Sequence, residues 1–172
     1  IYGPYVGTRN IQVPTGYIAS ALFISNSSNN YQGLWGPDEM YVDGTNTLYV
    51  VNQGGTYFEP AYEPMFVSVF DLNPPNFGAL ENIFTNVDSS GLGGLLESAT
   101  MLPSVPSKLF VSVEDYPNGG YPGGRIIYTV DTQTGASIPF YRPSWNFDPL
   151  ETDINGDLAI GRTGPLSGGG AV

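Results

Sequence analysis

The sequence contains no cysteine and no histidine, and Lys108 is its only lysine. Without cysteine there is no disulfide, no thiol nucleophile and no structural zinc cluster. Without histidine the usual general base near neutral pH and the commonest transition-metal ligand are gone, and Ser-His-Asp hydrolysis goes with them. Positive charge is scarce: five basic residues stand against sixteen acidic ones, a net charge of −11. Duplex nucleic acid and anionic membrane surfaces are held by clustered Lys and Arg, so neither is expected as a partner. Apolar runs are short. The longest mild one, Tyr17 to Ile24, falls well below the roughly 18 residues of a membrane span. Long helical runs are missing too, because 23 Gly and 15 Pro interrupt the 172 residues and argue against a helix bundle.

What is present is core-forming material in short pieces. Hydrophobic residues make up 41% and aromatic residues 13% of the chain, too much for a disordered tail and enough for one domain. Alternating β-branched and aromatic stretches occur at Met40 to Val42, Thr47 to Val51, Met65 to Leu72, Lys108 to Val113 and Arg125 to Val130. Turn-forming clusters separate them, at Asp43-Gly44-Thr45-Asn46, Asn52 to Gly55, Pro117 to Gly120 and Thr132 to Gly135. This is the signature of an all-β fold made of hairpins. Leu92 to Met101 is the best helix candidate, weakened by Gly93-Gly94 and the following Pro103. Few charges, one lysine and abundant Asn, Ser, Thr, Tyr and Gly point to a secreted or cell-surface protein. A start at Ile1 rather than Met fits a processed form or a fragment. Asn26-Ser27-Ser28 is either a glycosylation sequon on Asn26 or a chance pattern in an Asn/Ser-rich stretch.

An internal repeat organises the strands. Met40 to Val50 aligns with Leu150 to Ile160 at an offset of 110, matching Asp43 with Asp153 and Leu48 with Leu158. Between them Lys108 to Val111 matches Thr47 to Val50 at offset 61, and Val67 to Leu72 matches Ile127 to Thr132 at offset 60. Each unit reads as two hairpin-linked strands, a Gly/Pro-rich connection, a third strand ending in Asp, a turn and a short fourth strand. Such a unit has the length of a four-stranded propeller blade.

Trp35 to Gly44 (WGPDEMYVDG) followed by Leu48-Tyr49-Val50-Val51-Asn52 resembles a blade of the calcium-dependent propellers: the gluconolactonase/senescence-marker, NHL-repeat and lactonase-like proteins. Their pattern runs G-P-D-G, apolar residues, then D-x-x-G-x-L-Y-V. Val130 to Gly135 resembles their third strand and turn. Glu39 stands where glycine is usual, and the middle unit has Ser104 in place of the Asp. The resemblance implies an all-β domain over residues 1–172, with four-stranded antiparallel blades at about 38–85 and 100–143 and partial blades at both ends. A propeller so incomplete is either part of a longer chain or closed by oligomerisation, as a ring or a filament.

Asp38 and Asp148 occupy equivalent positions, and Glu97 lies within two residues of the middle equivalent. In the gluconolactonase-like proteins the Asp of the P-D-G motif is a metal ligand, and Asp38 matches it. The resemblance therefore implies Asp38, Glu97 and Asp148 as candidate metal ligands and calcium as the candidate cofactor. The competing reading is that such aspartates cap strand ends through Asx-turns. Asp153-Ile154-Asn155-Gly156-Asp157 begins like a calcium loop, lacks the later Glu, and reads as a hairpin turn. Tyr57, Tyr62, Tyr116 and Tyr121 lie in long aromatic and acidic connections at equivalent places; they are candidates for binding carbohydrate or protein, or else loop packing. Two function classes follow. One is a non-catalytic extracellular propeller module for binding or self-assembly, favoured by the absence of any nucleophile–base pair. The other is part of a calcium-dependent lactonase, esterase or lyase-like enzyme.

Overall fold

The computed structural model describes residues 15–16, 34, 37–52, 65–85, 87, 94–115, 125–143 and 147–162. These residues hold ten strands and no helix: β1 (Pro37–Val42), β2 (Thr47–Asn52), β3 (Phe66–Asp71), β4 (Ala79–Phe84), β5 (Gly94–Met101), β6 (Lys108–Asp115), β7 (Arg125–Asp131), β8 (Ser137–Tyr141), β9 (Phe147–Thr152) and β10 (Leu158–Arg162). The first four form an antiparallel sheet in chain order, the next four a second such sheet, and β9–β10 a two-stranded hairpin. Among the described residues no helix is long and apolar enough to cross a membrane.

The turns show why these residues stop and start strands. The β1–β2 turn is closed by Asp43, whose Oδ1 accepts the N–H groups of Thr45 at 2.8 Å and Thr47 at 2.9 Å. Asp153 repeats this in the β9–β10 turn, accepting from Asn155 at 2.8 Å and Asp157 at 2.9 Å. The fourth residue of each turn takes a left-handed backbone, Asn46 at φ 61° and Gly156 at φ 84°, which asparagine and glycine tolerate best. Asp71 and Asp131 end β3 and β7 in the same manner, accepting from Asn73 at 2.7 Å and from Thr134 at 3.0 Å. A further bond joins the two turns of each sheet: Leu72 N–H donates to Asn46 carbonyl at 2.9 Å, and Thr132 N–H to Ser107 carbonyl at 3.0 Å. The offsets of 60, 61 and 110 therefore recur as hydrogen bonds.

Leu92 to Met101 is the one element whose type differs from the sequence expectation. It is strand β5 from Gly94 onward, not a helix. The register slips between Leu96 and Ser98, leaving Glu97 as a β-bulge. The bulge breaks the period-2 alternation that would have announced a strand. The second sheet consequently spans 94–141 rather than starting at Thr100.

The sheets stack face to face in one sense. Tyr49, Val51, Val67, Val69 and Phe84 of the first sheet form one buried cluster with Leu109, Val111, Val113, Ile126, Tyr128 and Val130 of the second. The opposite face of the second sheet, with Phe110 and Ile127, packs on Phe147 and Leu150 of the hairpin, helped by Leu158 and Ile160. The other face of the first sheet is buried as well, with Leu48, Val50 and Phe70 forming a third cluster joined by Leu34 and Leu72. Strands β1, β5 and β9 lie side by side across the layers. Alternation along each strand explains the layering: neighbours such as Leu48 and Tyr49, or Leu109 and Phe110, serve opposite interfaces.

Candidate functional site

The acidic candidates fall on the first strand of each unit, at one kind of irregularity. In β1 the register slips between Pro37 and Glu39, so Asp38 is the bulged residue. Glu97 is the bulged residue of β5. In β9, Asp148 and Pro149 together stand opposite Gly161 alone, where the register slips between Ile160 and Arg162. A bulge turns a strand and re-aims the side chain on it, so the three positions share a backbone form, although Glu97 stands two residues from the sequence equivalent of Asp38. Asp38 is exposed and Glu97 half-buried; the side chain of Asp148 lies outside the described residues. Among the described residues no group of three acidic side chains comes together to hold a metal ion.

Polar contacts tie these first strands together. The Met101 carbonyl of β5 accepts the Tyr41 hydroxyl of β1 at 3.3 Å and the Thr152 hydroxyl of β9 at 2.9 Å. Nearer the bulges, the buried Ser98 hydroxyl accepts the Leu150 N–H at 3.1 Å and meets the Ser112 hydroxyl at 2.8 Å. In the first sheet buried Asn52 donates to Ser68 Oγ at 3.0 Å and to the Val50 carbonyl at 3.0 Å. Buried polar groups satisfied in this way fix one arrangement of strands instead of opposing burial. No sequence signal marks the Met101 carbonyl. The bulges do carry one: an acid interrupting an otherwise apolar or small-residue run, as Glu97 does between Leu96 and Ser98.

The two ends of the sheets differ in chemistry. At the turn end the aspartates are engaged with backbone. Asp131 lies well below the usual carboxylate range because the Lys108 ammonium, at 2.8 Å, and the Thr134 N–H stabilise its charge. Asp153 is lowered by the N–H groups of Asp157 and Asn155. Tyr49 is pushed up to about 12 by burial and then by the nearby Asp43 carboxylate. Tyr41 is raised by burial and, secondarily, by Asp43. The bulged acids lie at the other end, where Asn52 pairs with Pro37 and Asp115 pairs with Gly94. The connections 53–65 and 116–124 start from that same end. Tyr57, Tyr62, Tyr116 and Tyr121 belong to these connections and, like Asn26, lie outside the described residues. Comparison with protein-family models, with curated proteins and with solved structures finds no match.

Proposed function

We propose that the chain is a segment of a β-propeller, secreted or displayed at a cell surface, acting without catalysis as a binding and self-assembly module. The observation that carries this reading is the repeated stacking: successive units share turn hydrogen bonds, bulge positions and stacking sense, with their first strands adjacent. A propeller is a ring of such four-stranded sheets about a central axis. The two sheets and the hairpin among the described residues are part of such a ring, which on this reading is completed by copies of the chain, as a ring or a filament, or by the remainder of a longer propeller chain. The bulge end, with its acids and tyrosine-rich connections, is the binding end, and tyrosine faces suit carbohydrate as the ligand. Glycosylation at Asn26 belongs to the same extracellular reading. Light scattering on the purified chain in dilute solution tests assembly: we expect species heavier than 18.4 kDa, and a monodisperse monomer with no bound second chain removes self-assembly.

The equivalence of the three acidic bulges favours a second reading, part of a calcium-dependent lactonase, esterase or lyase-like propeller with Asp38, Glu97 and Asp148 near the axis. The described donors do not gather a ligand set, and no reaction step is derived through calcium. Calorimetric titration decides this reading, since no heat of binding at millimolar calcium removes it.

A further inference from the structure

The β1–β2 and β9–β10 hairpins close with one turn built from two different sequences, and the two differ in reactivity. In both, the opening aspartate accepts the N–H groups two and four residues on at its Oδ1: Thr45 and Thr47 for Asp43, Asn155 and Asp157 for Asp153. The third and fourth places hold Thr45-Asn46 in the first turn and Asn155-Gly156 in the second. Asn46 is followed by Thr47, whose β-branched side chain crowds its own nitrogen. Asn155 is followed by glycine, which has no Cβ to hinder its nitrogen from approaching the carboxamide before it. Asn155 is exposed and Ile154 beside it is 100% exposed, so water reaches the pair. The chain's other Asn-Gly pair, Asn118-Gly119, lies outside the described residues.

Asp153 restrains both reacting groups. Its carbonyl accepts the Gly156 N–H at 3.0 Å, retaining the proton that must leave before the nitrogen can attack. Its Oδ2 accepts from Asn155 Nδ2 at 3.2 Å, tying down the carboxamide. The N–H groups of Asp157 and Asn155 hold the Asp153 carboxyl below its usual range, so it acts here as an acceptor and not as a proton donor.

We infer that Asn155–Gly156 is a self-modification site, where Asn155 loses its carboxamide nitrogen through a cyclic imide at a rate set by Asp153. The Gly156 nitrogen bonds to Asn155 Cγ, the Cγ–Nδ2 bond breaks, and the Gly156 proton departs with Nδ2 as ammonia. Water, the only other reactant, then opens the five-membered ring. Cleavage at Cγ leaves aspartate at position 155. Cleavage at the main-chain carbonyl leaves isoaspartate, with an added methylene in the backbone. Either product undoes the turn. Aspartate sets a second carboxylate where Asp153 now accepts a hydrogen bond, and isoaspartate lengthens the path between the Asp153 carbonyl and the Gly156 N–H. This turn fixes the register of a hairpin whose Phe147 and Leu150 pack on Phe110 and Ile127, so its loss loosens that layer. The inference concerns the turn alone and stands apart from the propeller reading.

The purified chain is incubated at body temperature and mildly alkaline pH beside a peptide of residues 147–162. Anion exchange separates the more acidic products, and electron-transfer fragmentation of the digested chain tells aspartate from isoaspartate. We expect Asn155 to convert about tenfold more slowly in the folded chain than in the peptide, because its hydrogen bonds must open first, and Asn46 to stay intact. Asp153→Asn keeps the Oδ1 acceptor and gives up Oδ2, so it should raise the rate in part while the chain stays folded. Asp153→Ala should bring the rate to that of the peptide. Amide exchange supplies a second readout: the Asp157 N–H should be protected in the fresh chain and lose protection in the isolated isoaspartate form. An intact Asn155 in the folded chain once the peptide is fully converted, equal rates in chain and peptide, or a rate indifferent to both substitutions at Asp153 overturns the inference.

Discussion

The first and second sheets have the same strand order and nearly the same turns, yet their corresponding outer faces are treated differently. Phe84 is buried beneath the second sheet, while Tyr141, its counterpart by register, is half exposed beside the shorter β9–β10 hairpin. Local sequence does not separate them, since both β4 and β8 are five- or six-residue strands ending in an aromatic residue. What separates them is the width of the next layer. Among the described residues a four-stranded sheet packs over the face of Phe84 and a two-stranded hairpin over that of Tyr141, and apolar stabilisation follows the area covered.

Truncating the two aromatics is the most direct way to break the comparison. Phe84→Ala should cost about 3–5 kcal/mol, as for a buried aromatic whose cavity cannot collapse, whereas Tyr141→Ala should cost less than about 1 kcal/mol. Urea unfolding of the full chain measures both, and equal losses would mean the two faces are equally covered. Glycine substitutions come next. An added Cβ at Gly135, φ 71°, would lie 2.8 Å from the Phe84 ring, while one at Gly156, φ 84°, meets only Pro103 at 3.8 Å. Gly135→Ala should therefore cost about 2–4 kcal/mol, from strain and overpacking together, and Gly156→Ala about 1 kcal/mol from backbone strain alone.

Two pH experiments sharpen the comparison with smaller effects. Tyr49 occupies the position that Phe110 takes in the second sheet, so only the first sheet should respond to alkali there. Its folded-state value near 12 exceeds the ordinary 10.0, so the folded chain holds the phenol proton more tightly. That contribution is complete below pH 10 and lost as pH rises toward 12; Tyr49→Phe should flatten the alkaline limb of a stability profile. Acid singles out the second sheet, because Lys108 supports Asp131 while Thr47 stands in the matching place beside Asp71. Asp131 is lowered from 3.8, so its contribution is present above that value and fades as pH falls through the lowered one. Asp131→Asn should make the acid limb shallower, by an amount that shrinks with added salt.

Much of the architecture was legible because the signals were local. Thr47 to Val51, Lys108 to Val113 and Arg125 to Val130 alternate and are bounded by Asp-, Asn- and Gly-rich turns, and each is a strand core. The repeat offsets surfaced because Asp43 and Asp153 are required by the same turn. Legibility failed where packing or irregularity decides. Strand β5 was obscured by its bulge at Glu97, whereas β8 and β9, despite Pro139 and Pro149, were reached only through the repeat and not through alternation of their own. At the candidate site the sequence identified acidic positions but not their shared bulges. The Met101 carbonyl that joins Tyr41 and Thr152 has no side-chain signature at all.

Each four-stranded sheet is made from one unbroken run of sequence, 37–84 and then 94–141. Every pairing within a sheet joins neighbours in the chain, so loops of modest length suffice to close it. During synthesis the first sheet has all its strands before Gly94 is added, and the second is laid against an existing apolar surface rather than searching for one. Assembly can therefore proceed in the direction of translation, layer upon layer. The newest layer is always the one with an uncovered flank, which makes the growing end of the stack the place where misassociation has to be prevented.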